Sequence, residues 1–200
     1  MKKILVTYAT LSGTTVDVAQ AVGQEIAKSG VQVEVLPVAA VKSLDAYCGV
    51  VVGAPMIAGW HRNALKFVAA HREAWGTIPL AVFVTALNLT RTSVTSIDGV
   101  PIWIDENLPK APLRADRLTI RERYARGENY ARPILGAAGS NKPVSVAFFG
   151  GRLDYGRMPW WAVVFAMLII QAPAGDKHNW PFIRRWAASI PEAFRCGSPK

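Results

Sequence analysis

The chain has 200 residues, a mass of 21.7 kDa and a hydrophobic fraction of 51%, which predicts one globular domain with a sizeable core and excludes a disordered chain. Cys48 and Cys196 form no CxxC motif and no Cys/His cluster, which excludes a structural zinc site and a disulfide scaffold. The net charge of +9 lies entirely in residues 110–200, which hold 15 basic and 6 acidic residues, and this placement favours an anionic partner.

Short apolar runs alternate with stretches of helical spacing along the chain. The first run, residues 3–8, predicts a buried strand, and residues 16–26 then show apolar positions at helical spacing up to a stop near Gly30. Further strands are predicted at residues 31–38, 49–52, 80–85 and 144–149, and further helices at residues 64–70 and 180–190. A helix within residues 114–138 would carry Arg117, Arg121, Arg123 and Arg126.

This alternation predicts βαβ units, and hence a parallel sheet with helices on both faces. Five strands in one domain spanning residues 1–200 match the flavodoxin-like doubly wound α/β fold, with strand order 2-1-3-4-5. Residues 87–117 and 151–178 exceed what that fold needs. They are predicted to be long insertions, and insertions of that length are usually functional when they are ordered.

The turn from the first strand into the first helix is rich in small hydroxyl residues and contains a glycine. Glycine lets the backbone approach a ligand closely, while free amides, hydroxyls and the positive end of the helix dipole attract an anion. The turn contains no lysine, which favours a monophosphate over a triphosphate. The alternative is that Ser12 or Thr14 only caps the helix.

The pattern [ST]-x-[ST]-G-x-T in this turn resembles the FMN phosphate loop of flavodoxins. Residues 53–61, 85–89 and 149–155 resemble more closely the flavodoxin-domain family that includes menaquinone-dependent protoporphyrinogen IX dehydrogenases of bacterial haem synthesis. The resemblance covers most of the chain and weakens within residues 90–117. It implies FMN as cofactor, an oxidoreductase activity on a porphyrinogen, and a quinone as electron acceptor.

The resemblance also implies which residues would hold the cofactor. The FMN phosphate would lie on Thr10, Ser12, Gly13, Thr14 and Thr15. The isoalloxazine ring would lie between two loops, one with Ala54, Pro55, Met56 and Trp60, and the other with Leu87, Asn88 and Leu89. Trp60 would stack on the ring, and the alternative is that it is an exposed loop aromatic or a lid over the core.

His61 and Arg62 close the loop predicted to face the ring, and they are the candidate catalytic residues. His61 could move protons at neutral pH, although a single histidine is more often structural. The stretch from Ala54 to Arg62 contains no acid, so Arg62 would stabilise a fully reduced, anionic flavin, which favours two-electron chemistry over one-electron shuttling. The alternative is that Arg62 points to solvent.

An apolar run of eleven residues, 160–170, is too short to cross a membrane, which takes about 20 residues. Basic and aromatic neighbours (Arg152, Tyr155, Arg157, Trp160 and Trp161) give it the composition of an interfacial anchor next to a quinone. A core helix or a dimer interface is the alternative. Without a signal-peptide pattern, the sequence predicts a cytoplasmic protein, peripheral to the inner face of the cell membrane if this run is an anchor.

Three classes of function stay open at this point. The first is the oxidoreductase just described, the second is an FMN electron carrier without a substrate site of its own, and the third is an interaction domain that binds no flavin. The sequence predicts no metal site. Nucleic-acid binding is disfavoured because the aromatic residues of the chain lie mostly outside the basic cluster at residues 114–132, which holds only Tyr124 and Tyr130.

Overall fold

A computed structural model describes residues 3–56, 59–90, 94–114, 117–153 and 175–196. The apolar run 160–170 therefore lies outside the described residues. The strands are β1 (Lys3–Tyr8), β2 (Val33–Pro37), β3 (Tyr47–Pro55), β4 (Leu80–Ala86), β5 (Leu89–Thr90), β6 (Ser96–Ile97), β7 (Val100–Ile104), β8 (Pro109–Lys110), β9 (Ser145–Gly150), β10 (Arg152–Leu153) and β11 (Gly175–Asp176). The helices are α1 (Thr14–Ala27), α2 (Arg62–Ala70), α3 (Ile120–Tyr124), α4 (Gly127–Ala138) and α5 (Trp180–Phe194).

The main sheet has the order β2-β1-β3-β4-β9-β7-β6, and every neighbouring pair in it is parallel except β6 and β7. Its first five strands confirm the predicted α/β class and the 2-1-3-4-5 order. The predicted strand count was too low by two, because residues 87–117 contribute β6 and β7 beside β9. The sequence pattern does not indicate β7, because Pro101 interrupts its apolar run and a proline within a run argues against a strand.

Successive side chains of the central strands point to opposite faces of the sheet, and both faces are buried. On one face, strand residues such as Val6, Phe83 and Phe149 pack against α1 and α5. On the other face, residues such as Val52 and Phe148 pack against α2 and α4. Each fully buried large apolar side chain contributes about 1.5–3 kcal/mol, so the two layers of helices hold the sheet as a rigid platform.

The single helix predicted within residues 114–138 is wrong, because two helices, α3 and α4, cover this stretch. Thr119 begins α3 with a reciprocal capping arrangement, in which the Thr119 amide donates to Glu122 Oε2 at 2.7 Å and the Glu122 amide donates to Thr119 Oγ1 at 3.2 Å. Arg126 is the residue that precedes α4, and Arg117 lies before α3. The basic residues are therefore spread over a bend and do not line one helix.

Cys48, at the start of β3, and Cys196, just after α5, form a disulfide with a Cα–Cα distance of 6.0 Å. This pairing corrects the exclusion of disulfides drawn from the sequence. The two residues are 148 positions apart, so no local spacing could indicate that they meet. The bridge lies at the edge of the sheet where β3 begins, and it anchors α5 to that edge.

No helix in the described ranges is long and apolar enough to pass through a lipid bilayer.

Candidate functional site

The loops that follow β1, β3, β4 and β9 meet at one edge of the sheet, because parallel strands all end on the same side. Backbone hydrogen bonds of 2.9 Å join the loops after β1, β3 and β9 to a neighbouring strand: Ala9 donates to Gly53, Met56 donates to Thr85, and Gly151 donates to Ala86. The predicted site loops are therefore brought together at this carboxyl edge of the sheet.

The turn between β1 and α1 has the geometry of an anion cradle. Gly13 precedes the helix with φ of +83°, a left-handed conformation that favours glycine, and no side chain caps α1. The Gly13 amide donates to Thr10 Oγ1 at 2.9 Å, so the Thr10 hydroxyl fixes the turn. Ser12 Oγ and Thr14 Oγ1 are 3.4 Å apart and do not cap the helix, which leaves its first amides facing outward.

Thr15 supplies an independent sign that this turn accommodates a ligand. Its side-chain oxygen is buried and has no hydrogen-bond partner. A buried unsatisfied hydroxyl costs about 1–3 kcal/mol, which an acceptor at the start of α1 would recover. A side chain on Gly13 would meet no atom within 4 Å, so the space above the turn is open. The donors and the open space fit a phosphate group.

The loop after β3 differs from its predicted role at Trp60. Ala54 and Pro55 belong to β3, and Met56 pairs with Trp60 in an antiparallel bridge. The Trp60 ring is 3% exposed, and its indole N–H donates to the carbonyl of Ala54 at 3.2 Å. Trp60 therefore packs in the core in this conformation, and stacking on a flavin, which stays a prediction, would require this loop to turn the ring outward.

His61 is the residue that precedes α2, and its Nδ1 accepts a hydrogen bond from the amide of Asn63 at 3.2 Å. Burial lowers the pKa of His61 below its ordinary value, so the ring is neutral at pH 7. Because Nδ1 is an acceptor, we assign the proton to Nε2, which can donate a hydrogen bond. Arg62 is exposed at the first position of α2. The catalytic roles of both residues stay predictions.

The loop after β4 presents a polar group between two buried leucines. Leu87 and Leu89 are buried, whereas Asn88 is half-buried and its Oδ1 is enclosed without a hydrogen-bond partner. Lys177 donates from Nζ to the Leu87 carbonyl at 3.4 Å. Burial, and then the nearby charge of Lys110, lower the pKa of Lys177. The ammonium group of Lys177 therefore lies next to the backbone of the predicted ring-binding loop.

Two further residues at this edge, Lys177 and Asp105, are not marked by any pattern in the sequence. Asp105 is fully buried and accepts hydrogen bonds from Asn179 Nδ2 at 2.9 Å and from the Gly150 amide at 3.4 Å. It thereby joins β7, β9 and the start of α5. Both residues act through contacts across 45 to 90 positions, and no local pattern signals them. Among the residues that the structure describes, no group of His, Cys, Asp and Glu could hold a metal ion.

Several solved structures are similar to this chain, and the first of them, with a TM-score above 0.5, supports the fold. The rubredoxin oxygen:oxidoreductase of the anaerobe Desulfovibrio gigas matches with a TM-score of 0.51 at 12% identity over 98% of this chain, and the chain spans 36% of that protein. A flavodoxin from the domain Archaea matches with a TM-score of 0.49 at 15% identity, over 96% of this chain and 99% of that one. A flavodoxin mutant from Fusobacterium nucleatum bound to flavin mononucleotide matches with a TM-score of 0.49 at 11% identity, over 98% and 96% of the two chains.

Comparison with sequence families is more specific. No curated protein gives a significant match to this chain. The family model described as "Flavodoxin domain" matches residues 5–179, which include every loop of the carboxyl edge described above. The chain therefore belongs to the flavodoxin-domain family.

Proposed function

We propose that the chain is an FMN-dependent oxidoreductase that carries out two-electron chemistry on an organic substrate. The observation that carries the proposal is the uncapped start of α1, where Gly13 is left-handed and the buried Thr15 hydroxyl has no partner. Membership of the flavodoxin-domain family supports FMN as the ligand. Bound FMN supplies the redox chemistry, and the protein supplies position and electrostatics.

The residues of the carboxyl edge would divide the binding of FMN between them. The first amides of α1 and the hydroxyls of Ser12, Thr14 and Thr15 would donate to the phosphate. The enclosed Oδ1 of Asn88 would accept a hydrogen bond from the imide N–H of the flavin ring. For Thr15 and Asn88, the assignment gives a partner to a side-chain oxygen that lacks one in the described structure.

The charges around the loops favour an oxidoreductase over a one-electron carrier. The ring loop from Ala54 to Arg62 contains no acid, and Lys177 bonds to the Leu87 carbonyl behind the other ring loop. Positive charge near a flavin favours its reduced, negatively charged form. His61, neutral with its proton on Nε2, would orient a substrate by donating a hydrogen bond and would not act as a general acid at pH 7.

For the substrate and the electron acceptor, we propose a porphyrinogen, specifically protoporphyrinogen IX, and a membrane quinone. The support is the resemblance of residues 53–61, 85–89 and 149–155 to menaquinone-dependent dehydrogenases of haem synthesis. The basic residues 110–200 also suit a substrate with carboxylate groups. A quinone dissolves in the bilayer, so the proposal includes a place for the chain at the surface of the cell membrane.

An absorbance titration with FMN, followed by stepwise anaerobic reduction, tests this function. We expect the chain to bind FMN and to be reduced in one two-electron step, after which protoporphyrinogen oxidation with a quinone acceptor is assayed. Reduction in two well-separated one-electron steps would instead indicate an electron carrier. A chain that binds no FMN would overturn the whole proposal and leave an interaction domain.

A further inference from the structure

Apolar side chains are exposed in one short segment of the described structure. Leu113 is 86% exposed, Ile120 is 80% exposed and Tyr124 is 48% exposed, and they are the exposed large hydrophobic residues of the described ranges. Scattered apolar side chains on a surface are ordinary, but a cluster of them marks an interaction site. We call residues 110–114 and 117–124 the basic-apolar segment.

Hydrogen bonds to the Glu122 carboxylate fix the backbone that carries these exposed side chains. The Glu122 carboxylate accepts from the Leu113 amide at 2.6 Å through Oε1, and from the amide and hydroxyl of Thr119 at 2.7 and 2.8 Å through Oε2. One side chain thus holds the loop of Leu113 against the start of α3. Ile120 and Tyr124 lie one helical turn apart and so share a side of α3.

The charges around the apolar side chains are basic. Four cations of the segment are exposed, and within the described ranges none of them makes an ion pair: Lys110, Arg114, Arg117 and Arg123. Glu122 is also charged, but its carboxylate is occupied by the hydrogen bonds of the segment. Over residues 110–124 the sequence has five basic and two acidic residues.

The segment is fastened to the site. Lys110 pairs with Thr90 in the β5–β8 ladder, and the Thr90 hydroxyl donates to the Glu122 carbonyl at 2.7 Å. The Thr90 amide donates to the Ala125 carbonyl at 2.8 Å. Because Thr90 directly follows Leu87–Leu89, the basic-apolar segment is continuous with the predicted ring-binding loop.

We propose that the basic-apolar segment docks this protein on an anionic lipid surface, with Leu113 and Ile120 entering the interface and the arginines contacting the headgroups. Exposed apolar side chains in the same segment as exposed cations that form no ion pair within the described ranges match the layered chemistry of such a surface, which has anionic groups above hydrocarbon. Docking here would turn the carboxyl edge of the sheet toward the bilayer, where a lipid-soluble electron acceptor is dissolved. The access to an electron acceptor that docking would provide rests on the proposed function, whereas the docking itself does not.

Co-sedimentation of the full chain with large vesicles tests the proposal. We expect binding to vesicles that contain phosphatidylglycerol, weak binding to vesicles of phosphatidylcholine alone, and a loss of binding at high salt. The double variant Leu113→Ser/Ile120→Ser should bind about tenfold more weakly, because less apolar area enters the interface. Arg117→Gln/Arg123→Gln should bind the anionic vesicles about tenfold or more weakly.

A matched control separates local docking from general charge. Arg184→Gln/Arg185→Gln removes the same charge from exposed positions of α5 and should leave vesicle binding nearly unchanged. Equal weakening by this control, wild-type binding by the Leu113/Ile120 variant, or no binding of the wild-type chain would each overturn the proposal. A wild-type dimer that the Leu113/Ile120 variant converts to a monomer in light scattering would do so too, by showing a self-association surface.

FMN titration of every variant distinguishes the two proposals. Weaker vesicle binding with unchanged FMN affinity supports docking through a surface separate from the cofactor site. A wild-type chain that binds vesicles through this segment but binds no FMN overturns the proposed function and leaves the docking proposal standing.

Discussion

The β1–α1 turn and the basic-apolar segment border the same site, and both are suited to anions by opposite means. The turn has no lysine or arginine, and it offers amides, hydroxyls and a helix dipole held by Gly13 and Thr10. The segment offers exposed guanidinium groups that form no ion pair with any residue in the described part of the chain. Fixed dipoles recognise one small anion at short range, whereas exposed cations attract an extended negative surface at a range set by salt. Added salt should therefore weaken vesicle binding far more than FMN binding.

Gly13→Val is expected to have the largest effect among these variants, and it should separate FMN binding from vesicle binding. A β-branched residue is strained at a φ of +83° and would place its side chain in the open mouth of the turn. FMN affinity should fall by about 100-fold or more, while vesicle binding is retained. Absorbance titration and co-sedimentation measure the two effects.

Gly30→Val is the matched control for that variant. Gly30 has the same φ of +83° and the same open surroundings, but it lies beyond the other end of α1. It should lose a similar amount of folding stability and keep its FMN affinity. Equal loss of FMN binding in both variants would contradict the assignment of the turn.

Removal of the disulfide is expected to separate stability from both kinds of binding. Cys48→Ser/Cys196→Ser opens a link between residues 148 positions apart, which should lower the free energy of unfolding by about 2–5 kcal/mol. The bridge lies where β3 begins, at the edge opposite the site, so FMN and vesicle affinities should hold. Urea denaturation measures the stability. Weakened FMN binding by the folded variant would contradict the expectation that the disulfide affects stability alone.

Thr15→Val is expected to weaken FMN binding about tenfold, because it removes a donor to the phosphate. It should not destabilise the free chain, since the hydroxyl it removes is buried without a partner. Thr7→Val is its control, because the Thr7 hydroxyl in β1 is also buried without a partner. If Thr7→Val weakened FMN binding as much as Thr15→Val, the loss could not be assigned to the turn.

The smallest expected effect concerns protonation of His61. Its pKa is lowered in the folded chain, so unfolding takes up a proton. The free energy of unfolding should fall slightly as the pH drops from about 6.5 through the lowered pKa, because the ring is only partly buried. This part of the slope should vanish in His61→Asn, which keeps a side chain able to cap α2. Urea denaturation at several pH values measures this dependence. If the free energy of unfolding varied with pH in His61→Asn as it does in the wild-type chain, the lowered pKa of His61 would be contradicted.

Local patterns predicted those parts of the molecule that depend on neighbouring residues. The run at 3–8 is β1, and the stripe of Val18, Val22 and Ile26 is buried in α1. The helix begins earlier than its apolar spacing indicates, because the left-handed turn at Gly13 starts it at Thr14. The capping pair of Thr119 and Glu122 also has a local signature, which would have placed the start of α3.

Features that depend on distant contacts could not be predicted in this way. Lys177 reaches the Leu87 carbonyl across 90 positions, and Asp105 reaches Asn179 across 74. Such pairs are created by the order of strands in the sheet, which a periodic pattern does not encode.

The insertion that provides β7 also covers a strand that would otherwise lie at the edge of the sheet. β9 reads Ser-Val-Ala-Phe-Phe-Gly, an uncharged and apolar segment of the kind that pairs with copies of itself in fibrils. β7 covers its outer side through Ile102, Trp103 and Ile104, and the outermost strand, β6, has only two residues. In a chain that lacked this insertion, β9 would be an open edge of the sheet, and strand pairing between molecules would then compete with folding.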